Sequence, residues 1–212
     1  MENNSNQSLA ILILILSALT AFAPLSVDMY LPSMPSLVKT FDTNEANVQL
    51  TLSSFLFGFA IAQLIHGPLS DRFGRKYIII VGIILYIIAS IGIILSSSIE
   101  LIILFRFFQA FGGSAGPVMA RAIVRDTFTK DRSSQILSIL FLVMSSAPLL
   151  APFIGSQILI HLGWRYIFII LIIFSIICLL LTIVKLPESL PKNLRTNINF
   201  LTVINNYIYL FK

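Results

Sequence analysis

The sequence predicts an all-α membrane protein with six transmembrane helices. Hydrophobic residues make up 57% of the 212 residues and charged residues only 11%, far below the roughly 25% charged content of soluble domains. The apolar residues form long runs, each close to the roughly 20 residues that a helix needs to cross a bilayer. Because the runs lack the alternation of a closed β-barrel, a helical bundle is predicted.

Each of six apolar runs is predicted to form one transmembrane helix. Their approximate bounds are residues 9–31, 47–69, 77–95, 101–122, 135–160 and 165–186. Residues 1–8 then form a cytoplasmic N-terminus, residues 9–186 the six-helix transmembrane bundle, and residues 187–212 a cytoplasmic linker. Within the linker, residues 200–211 are amphipathic and too short to span, so they are predicted to form a helix on the membrane surface.

The basic residues indicate how the chain is oriented. Its net charge is +5, but the charges flank apolar runs and form no continuous patch, so we expect no nucleic-acid partner. Most of them follow the second, fourth and sixth runs, whereas the opposite side holds only Lys39 and Arg165. Because basic loops stay in the cytoplasm, a multi-pass protein with both termini cytoplasmic is predicted.

The connection after the second run carries the most informative motif, GPLSDRFGRK at residues 67–76. By composition alone it is a basic cytoplasmic loop, in which small residues allow close backbone approach and the acidic and basic side chains are able to pair. Its residue order resembles the signature loop of the major facilitator superfamily, G-x-L-(A/S)-D-R-x-G-R-(K/R), at every defined position. The candidate gating residues are therefore Gly67, Asp71, Arg72, Gly74, Arg75 and Lys76. The resemblance implies a relay from Asp71 through Arg75 to Asp126, which holds an outward-open state through contacts to a second half.

Three further motifs resemble the same family. RFFQAFG at residues 106–112 is similar to its R-x-x-Q-x-x-G element. The run at residues 147–156 is similar to the G-P-x-x-G-G antiporter element, and it supplies the candidate helix-packing residues Pro148, Ala151, Pro152 and Gly155. With DMYLP at residues 28–32, the chain most resembles the Bcr/CflA multidrug exporters of the bacterial inner membrane. The resemblance covers the family's N-terminal half and implies a six-helix half-bundle built as a 3+3 inverted repeat.

Asp28 and Arg106 are the ionisable residues that stand out inside apolar runs. A charge there costs about 2.5 to 3.5 kcal/mol on insertion scales, so we expect both to face the bundle interior. Their predicted depths differ by roughly 5 Å, which allows an ion pair. With Tyr30 and Gln109 they form the predicted proton-coupling and cavity site. A static ion pair or snorkelling to the interface is the alternative, and His66 is predicted to be a hydrogen-bonded interfacial histidine.

These observations lead to two functional hypotheses. The first is proton-coupled export of drugs or other amphipathic small molecules by the N-terminal half of an antiporter, which needs a second six-helix half or a homodimer partner. The second is a non-transporting six-helix membrane subunit, or the remnant of a split or truncated transporter gene. Protons and membrane lipids are expected partners, and the proton gradient is the expected energy source. With no catalytic set, metal-ligand spacing or phosphate-binding loop in the sequence, we expect no enzyme activity, metal or cofactor.

Overall fold

A computed structural model describes the backbone of residues 2–195 and the side chains of residues 9–195. The helix predicted at residues 200–211 lies outside the described residues. Nine α-helices occupy the described part: α1 (Glu2–Thr20), α2 (Phe22–Asp28), α3 (Met34–Thr40), α4 (Glu45–Phe73), α5 (Arg75–Leu95), α6 (Ile99–Gly113), α7 (Ala115–Thr127), α8 (Lys130–Leu162) and α9 (Trp164–Lys185). Short 3-10 helices lie at Leu31–Ser33 and Lys192–Leu194.

These helices make six spans that are long and apolar enough to cross a membrane, which confirms the predicted fold class. The spans are Leu9–Thr40, Glu45–Phe73, Arg75–Leu95, Ile99–Thr127, Lys130–Leu162 and Trp164–Lys185. The first span is broken where prolines stand near the start of new helical segments, since proline lacks the N–H that a continuous helix would use. The fourth span changes from α6 to α7 at Ser114.

The helices pack closely where small residues face each other. α6 lies between α4 and α5, and α9 covers the other side of α5. A Cβ added to Gly82 of α5 would lie 2.7 Å from the carbonyl oxygen of Gly112 in α6. α8 packs against α1 and α2, yet it is the least buried of the spans. The bundle therefore has a well-packed centre at α5 and α6 and a largely uncovered helix at α8.

The connection between α4 and α5 is much shorter than the sequence predicted. α4 continues through the polar residues to Phe73 with Pro68 inside it, and α5 begins at Arg75. Only Gly74 separates them, and its φ of 99° lies in a region that L side chains rarely adopt. The apolar run ends at residue 69 because polar side chains follow, but polarity does not stop a helix. The predicted loop is thus mostly helical.

Candidate functional site

Arg106 lies at the centre of a polar cluster inside the bundle. It projects from α6, and its side chain is fully buried. One guanidinium nitrogen, Nη1, donates to the carbonyl oxygen of Ser26 at 3.0 Å and to Oε1 of Gln109 at 2.8 Å. The guanidinium carbon lies 4.4 Å from the ring centre of Tyr30 and 4.3 Å from that of Phe55. Two aromatic faces therefore hold the cation by cation–π contacts.

A second layer of hydrogen bonds fixes the groups around Arg106. Gln109 Nε2 donates to Ser90 Oγ in α5 at 2.8 Å, which orients the Gln109 amide toward Arg106. The hydroxyl of Tyr30 is hydrogen-bonded to that of Thr51 in α4. The hydroxyls of Ser26 and Tyr86 lie 2.6 Å apart. The first, second, third and fourth spans all contribute, so the cluster joins four helices around one cation.

The guanidinium is only partly satisfied by these contacts. Its Nε and Nη2 atoms are buried and have no hydrogen-bond partner among residues 2–195. No carboxylate within that range pairs with Arg106 either. A buried cation without a counter-ion carries a large desolvation cost, and residues retained in membranes at such cost typically serve a function.

The ion pair between Asp28 and Arg106 that the predicted depths allowed is not formed. Asp28 is the last residue of α2 and is partly exposed, and its side chain makes no ion pair in the described part of the chain. The guanidinium is instead held two residues earlier, at the Ser26 carbonyl. The predicted depths of Asp28 and Arg106 do not describe the direction in which each side chain points around its helix, and this direction decides whether the two side chains meet.

Exposure divides the predicted cavity residues into two groups. Tyr30, Arg106 and Gln109 are fully buried within the bundle, whereas Asp28 is partly exposed. His66 is also buried, and its Nδ1 lies 3.0 Å from Ser114 Oγ, which confirms the prediction of a hydrogen-bonded histidine. Arg106 contacts both Tyr30 and Gln109, so Asp28 is left as the accessible ionisable group of the predicted set.

A second arginine cluster forms where α4 meets α5. Arg75 Nη1 lies 2.6 Å from Asp71 Oδ1, and Arg75 Nε lies 2.9 Å from Asp126 Oδ2 at the end of α7. Arg75 also donates to the Ser70 hydroxyl. The structure therefore brings together the three residues of the expected relay, with Arg75 between the two carboxylates. We call this end of the bundle, with the α4–α5 and α7–α8 connections and the segment after α9, the basic end.

Glu188 belongs to this cluster, although the sequence analysis missed it. Its carboxylate accepts the backbone N–H of Arg75 at 2.9 Å and that of Lys76 at 3.3 Å. It thereby caps α5, whose preceding residue Gly74 has no side chain to do so. The following residue, Ser189, donates to Asp126 at 3.3 Å. The signal in the sequence that pointed to Glu188 was its position as a single acidic residue two positions after the last apolar run.

The other residues of the gating motif have unequal roles. A Cβ at Gly74 would lie 2.7 Å from Nη2 of Arg195, so the groups that approach this glycine closely are side-chain ends. At Gly67 a Cβ would meet open space within the described part of the chain. Lys76 Nζ donates to the Ile183 carbonyl oxygen at 2.8 Å and ties α5 to α9. Arg72 is exposed, over the ring of Phe73.

The motif in α8 separates into packed and uncovered residues. Ala151 is fully buried, and a Cβ at Gly155 would clash with the backbone carbonyl of Met29. Pro148 is exposed and Pro152 is half-buried, while the helix continues past both to Leu162. The small residues thus let α8 pack closely against the first span at Met29.

Comparison with known proteins decides the family. The model of the Major Facilitator Superfamily matches residues 16–207, most of the chain. The chain belongs to this superfamily. Its fold is similar to the crystal structure of the human organic anion transporter MFSD10, with a TM-score of 0.74 at 17% identity. That alignment covers 92% of this chain and 52% of the human protein.

Relatives of this superfamily member are named for drug resistance. It is 36% identical to a bicyclomycin resistance protein homolog of Haemophilus influenzae, over 99% of this chain and 52% of that protein. It is 39% identical to a chloramphenicol resistance protein of Pseudomonas aeruginosa, over 76% of this chain and 39% of the relative. Identity to the multidrug resistance protein MdtL of Escherichia coli is 34%, over 82% and 44% of the two chains. The chain spans about half the length of the curated relatives it matches, and the resemblance to Bcr/CflA-type exporters is confirmed.

Proposed function

We propose that this chain is the N-terminal half of a proton-coupled antiporter that exports drugs or other amphipathic small molecules. The observation that carries the proposal is the buried Arg106 cluster, which binds the backbone of α2 at Ser26, two residues before the partly exposed Asp28. Membership of the superfamily and the names of the relatives support the same function. The proton gradient supplies the energy, and no cofactor or enzyme step is needed.

Asp28 is the proposed proton carrier, and Arg106 positions the segment that holds it. Asp28 carries no counter-ion in residues 2–195, so its charge changes without breaking an ion pair. Arg106 binds the Ser26 carbonyl, which anchors α2 to α6 two residues before Asp28. A movement between these helices therefore changes the surroundings of Asp28. Proton release and substrate binding then favour different conformations, which is the basis of exchange.

A second six-helix half is proposed to cover α4 and α8. Only 28% of the apolar window in α4 and 17% of that in α8 is buried inside the bundle, compared with 44% for α5. The chain aligns with about half the length of its Haemophilus influenzae relative, which supports the same arrangement. The second half corresponds to the part of the relatives that this chain does not match, or is formed by a second copy of this chain. The cluster of Asp71, Arg75 and Asp126 then contacts it and biases the transporter toward the outward-open state.

The proposed location is the bacterial inner membrane, with both termini in the cytoplasm and the basic end facing the cytoplasm. Basic residues at that end support this orientation. The orientation is tested by fusing a reporter that is active only in the cytoplasm directly after Lys212. Activity of this reporter is the expected result. Activity of a second reporter that works only outside the cytoplasm would show the opposite orientation.

Everted membrane vesicles provide the test of function. Vesicles with the chain and its second half are energised, and proton release is followed by dye fluorescence as chloramphenicol or bicyclomycin is added. We expect drug-dependent proton flux that disappears in Asp28→Asn. The matched control is Asp42→Asn, because Asp42 lies in the α3–α4 connection and asparagine tolerates its positive φ of 46°. Equal flux in both variants would reject Asp28 as the carrier.

The same vesicles separate export from the alternative, a non-transporting six-helix subunit. That alternative predicts no drug-dependent flux with either a second copy or a separate second half. It also predicts that growth in these drugs is independent of the chain. Flux in the unmodified protein would exclude it.

A further inference from the structure

A cavity near the basic end combines two arginines with apolar walls. It measures about 350 Å³ and lies between α4, α7 and α8, with Gln63, Arg121, Arg125 and Phe141 among its lining residues. A smaller pocket beside it shares Arg121 and Phe141 and extends to Thr20 of α1 and Met144 of α8. The volume is within the usual range for a small-molecule site, about 300 to 1,000 Å³. This cavity is separate from the Arg106 cluster.

The two arginines have no acidic partner among the residues that the structure describes. Both are exposed, one helical turn apart on α7, and neither has an ion pair in the part of the chain that the structure describes. Arg121 donates one hydrogen bond, from Nε to the carbonyl oxygen of Pro117 in its own helix at 3.0 Å. The nearest acidic residue in sequence, Asp126, is bound to Arg75 instead. Two guanidinium groups thus line a cavity with apolar walls, and both have N–H groups available to donate to a ligand.

We propose that this cavity binds amphipathic anions, with the anionic group on Arg121 and Arg125 and the apolar body against Val118, Leu137 and Phe141. Guanidinium groups bind carboxylate, sulfonate and phosphate oxygens through charge-assisted hydrogen bonds. Gln63 adds an amide that donates or accepts. As a substrate site, the inference rests on the proposed export function. The same chemistry also fits the phosphate of an anionic phospholipid, and the experiment distinguishes these two sources.

Photolabelling of the full chain tests the proposal without requiring transport. The probe is 4-benzoylbenzoate, an anionic benzophenone, and its neutral methyl ester is the matched control. The protein is held in nanodiscs of zwitterionic phosphatidylcholine, and labelled peptides are identified by mass spectrometry. We expect the acid to label the α8 wall of the cavity, at Leu137 and Phe141, about tenfold more than the ester does. This ratio corresponds to one charge-assisted interaction. Met34, beside Glu45 in a cavity of about 290 Å³, serves as an internal control without this preference.

Variants identify the groups responsible. Arg121→Gln and Arg125→Gln should each reduce labelling by the acid severalfold, while Arg121→Lys should retain most of it. Arg165→Gln removes an exposed arginine next to Trp164, outside the cavity, and should leave labelling unchanged. Helix content and elution volume of each variant are measured so that a misfolded variant is not compared. Equal labelling by acid and ester, or labelling unaffected by both glutamine variants, would overturn the proposal.

Lipid composition separates the two sources of the anion. Replacing a third of the phosphatidylcholine with phosphatidylglycerol should leave labelling unchanged if the site takes small organic anions. If phosphatidylglycerol abolishes labelling only when Arg121 is present, the site still binds an amphipathic anion and its occupant is lipid. Because this binding needs no proton gradient, loss of drug-dependent flux in vesicles would reject the export function while leaving the binding result intact.

Discussion

Two buried arginines of this chain are stabilised in different ways. Arg75 lies at the basic end and pairs with the carboxylates of Asp71 and Asp126. Arg106 lies inside the bundle, where a backbone carbonyl, an amide oxygen and two aromatic rings surround it. The first cation is neutralised and the second is not. The difference teaches that the charge at the end of the bundle is held by opposite charge, while the charge inside the bundle is held by dipoles and π faces.

Arg106→Ala tests the inner arginine and should have the largest effect. It removes two hydrogen bonds and two cation–π contacts and leaves a cavity between Tyr30 and Phe55. We expect a loss of about 3 kcal/mol in the free energy of unfolding, measured by denaturation in mild detergent. Drug-dependent proton flux should also be lost.

The matched control for Arg106 is Arg165→Ala. Arg165 also makes a backbone hydrogen bond, to Ile94 at 3.1 Å, and a cation–π contact, to Trp164 at 4.4 Å, but it is exposed. We expect it to change stability by less than about 1 kcal/mol, because water replaces such contacts at the surface. Similar losses in both variants would show that burial does not set the strength of the Arg106 contacts.

Gly155→Ala tests whether the aromatic cage of Arg106 depends on the position of the neighbouring backbone. The added methyl group would clash with the carbonyl of Met29, the residue before Tyr30. We expect a loss of about 2 kcal/mol, since overpacking shifts backbone, together with weaker flux. The control is Gly67→Ala in α4, where the methyl group meets open space and should leave thermal stability unchanged or slightly higher. A neutral Gly155→Ala would mean that α8 moves away without disturbing Tyr30.

Asp126→Asn breaks one of the two ion pairs of Arg75. The expected loss is about 1 to 2 kcal/mol, between the values for exposed and buried pairs, because the Asp126 side chain is 23% exposed. A double-mutant cycle with Arg75→Gln should show coupling of about 0.5 to 2 kcal/mol, measured from unfolding midpoints. Additive effects would contradict a direct interaction. In cells, the variant should lower drug export without reducing membrane insertion.

The two clusters also differ in how far the sequence predicted them. Asp71 and Arg75 are four residues apart, and both belong to a recognisable motif, so their pairing with Asp126 was expected. Gln109 was expected beside Arg106 because it is three residues away on one helix face. Thr51, Phe55 and Ser90 were missed since their positions depend on how neighbouring helices rotate.

The six spans were predicted because hydrophobic length is a direct requirement of the bilayer. Their internal breaks, such as that at Ser114 between α6 and α7, and the one-residue turn at Gly74 were not. These features depend on backbone geometry in positions where the apolar content does not change. Glu188 was missed because its partner in the chain lies 113 residues away.

Glu188→Gln gives the smallest expected effect and sharpens the comparison at the basic end. The single amide oxygen of glutamine replaces only one of the two carboxylate oxygens that accept the N–H groups of Arg75 and Lys76, so one of these hydrogen bonds is lost. The negative charge at the start of α5 and the ion pair with Arg195 are lost as well. We expect a loss of about 1 kcal/mol, typical of a helix cap with its dipole interaction, measured by thermal unfolding at low salt. High salt should narrow the difference between variant and parent, because screening weakens the charge but not the hydrogen bonds. Glu100→Gln, in the exposed first turn of α6 where Ser98 already caps the helix, should produce no measurable change. If the two variants behave alike, the contact of the segment after α9 with α5 does not stabilise the basic end, and Arg75 is held there by Asp71, Asp126 and the Ser70 hydroxyl.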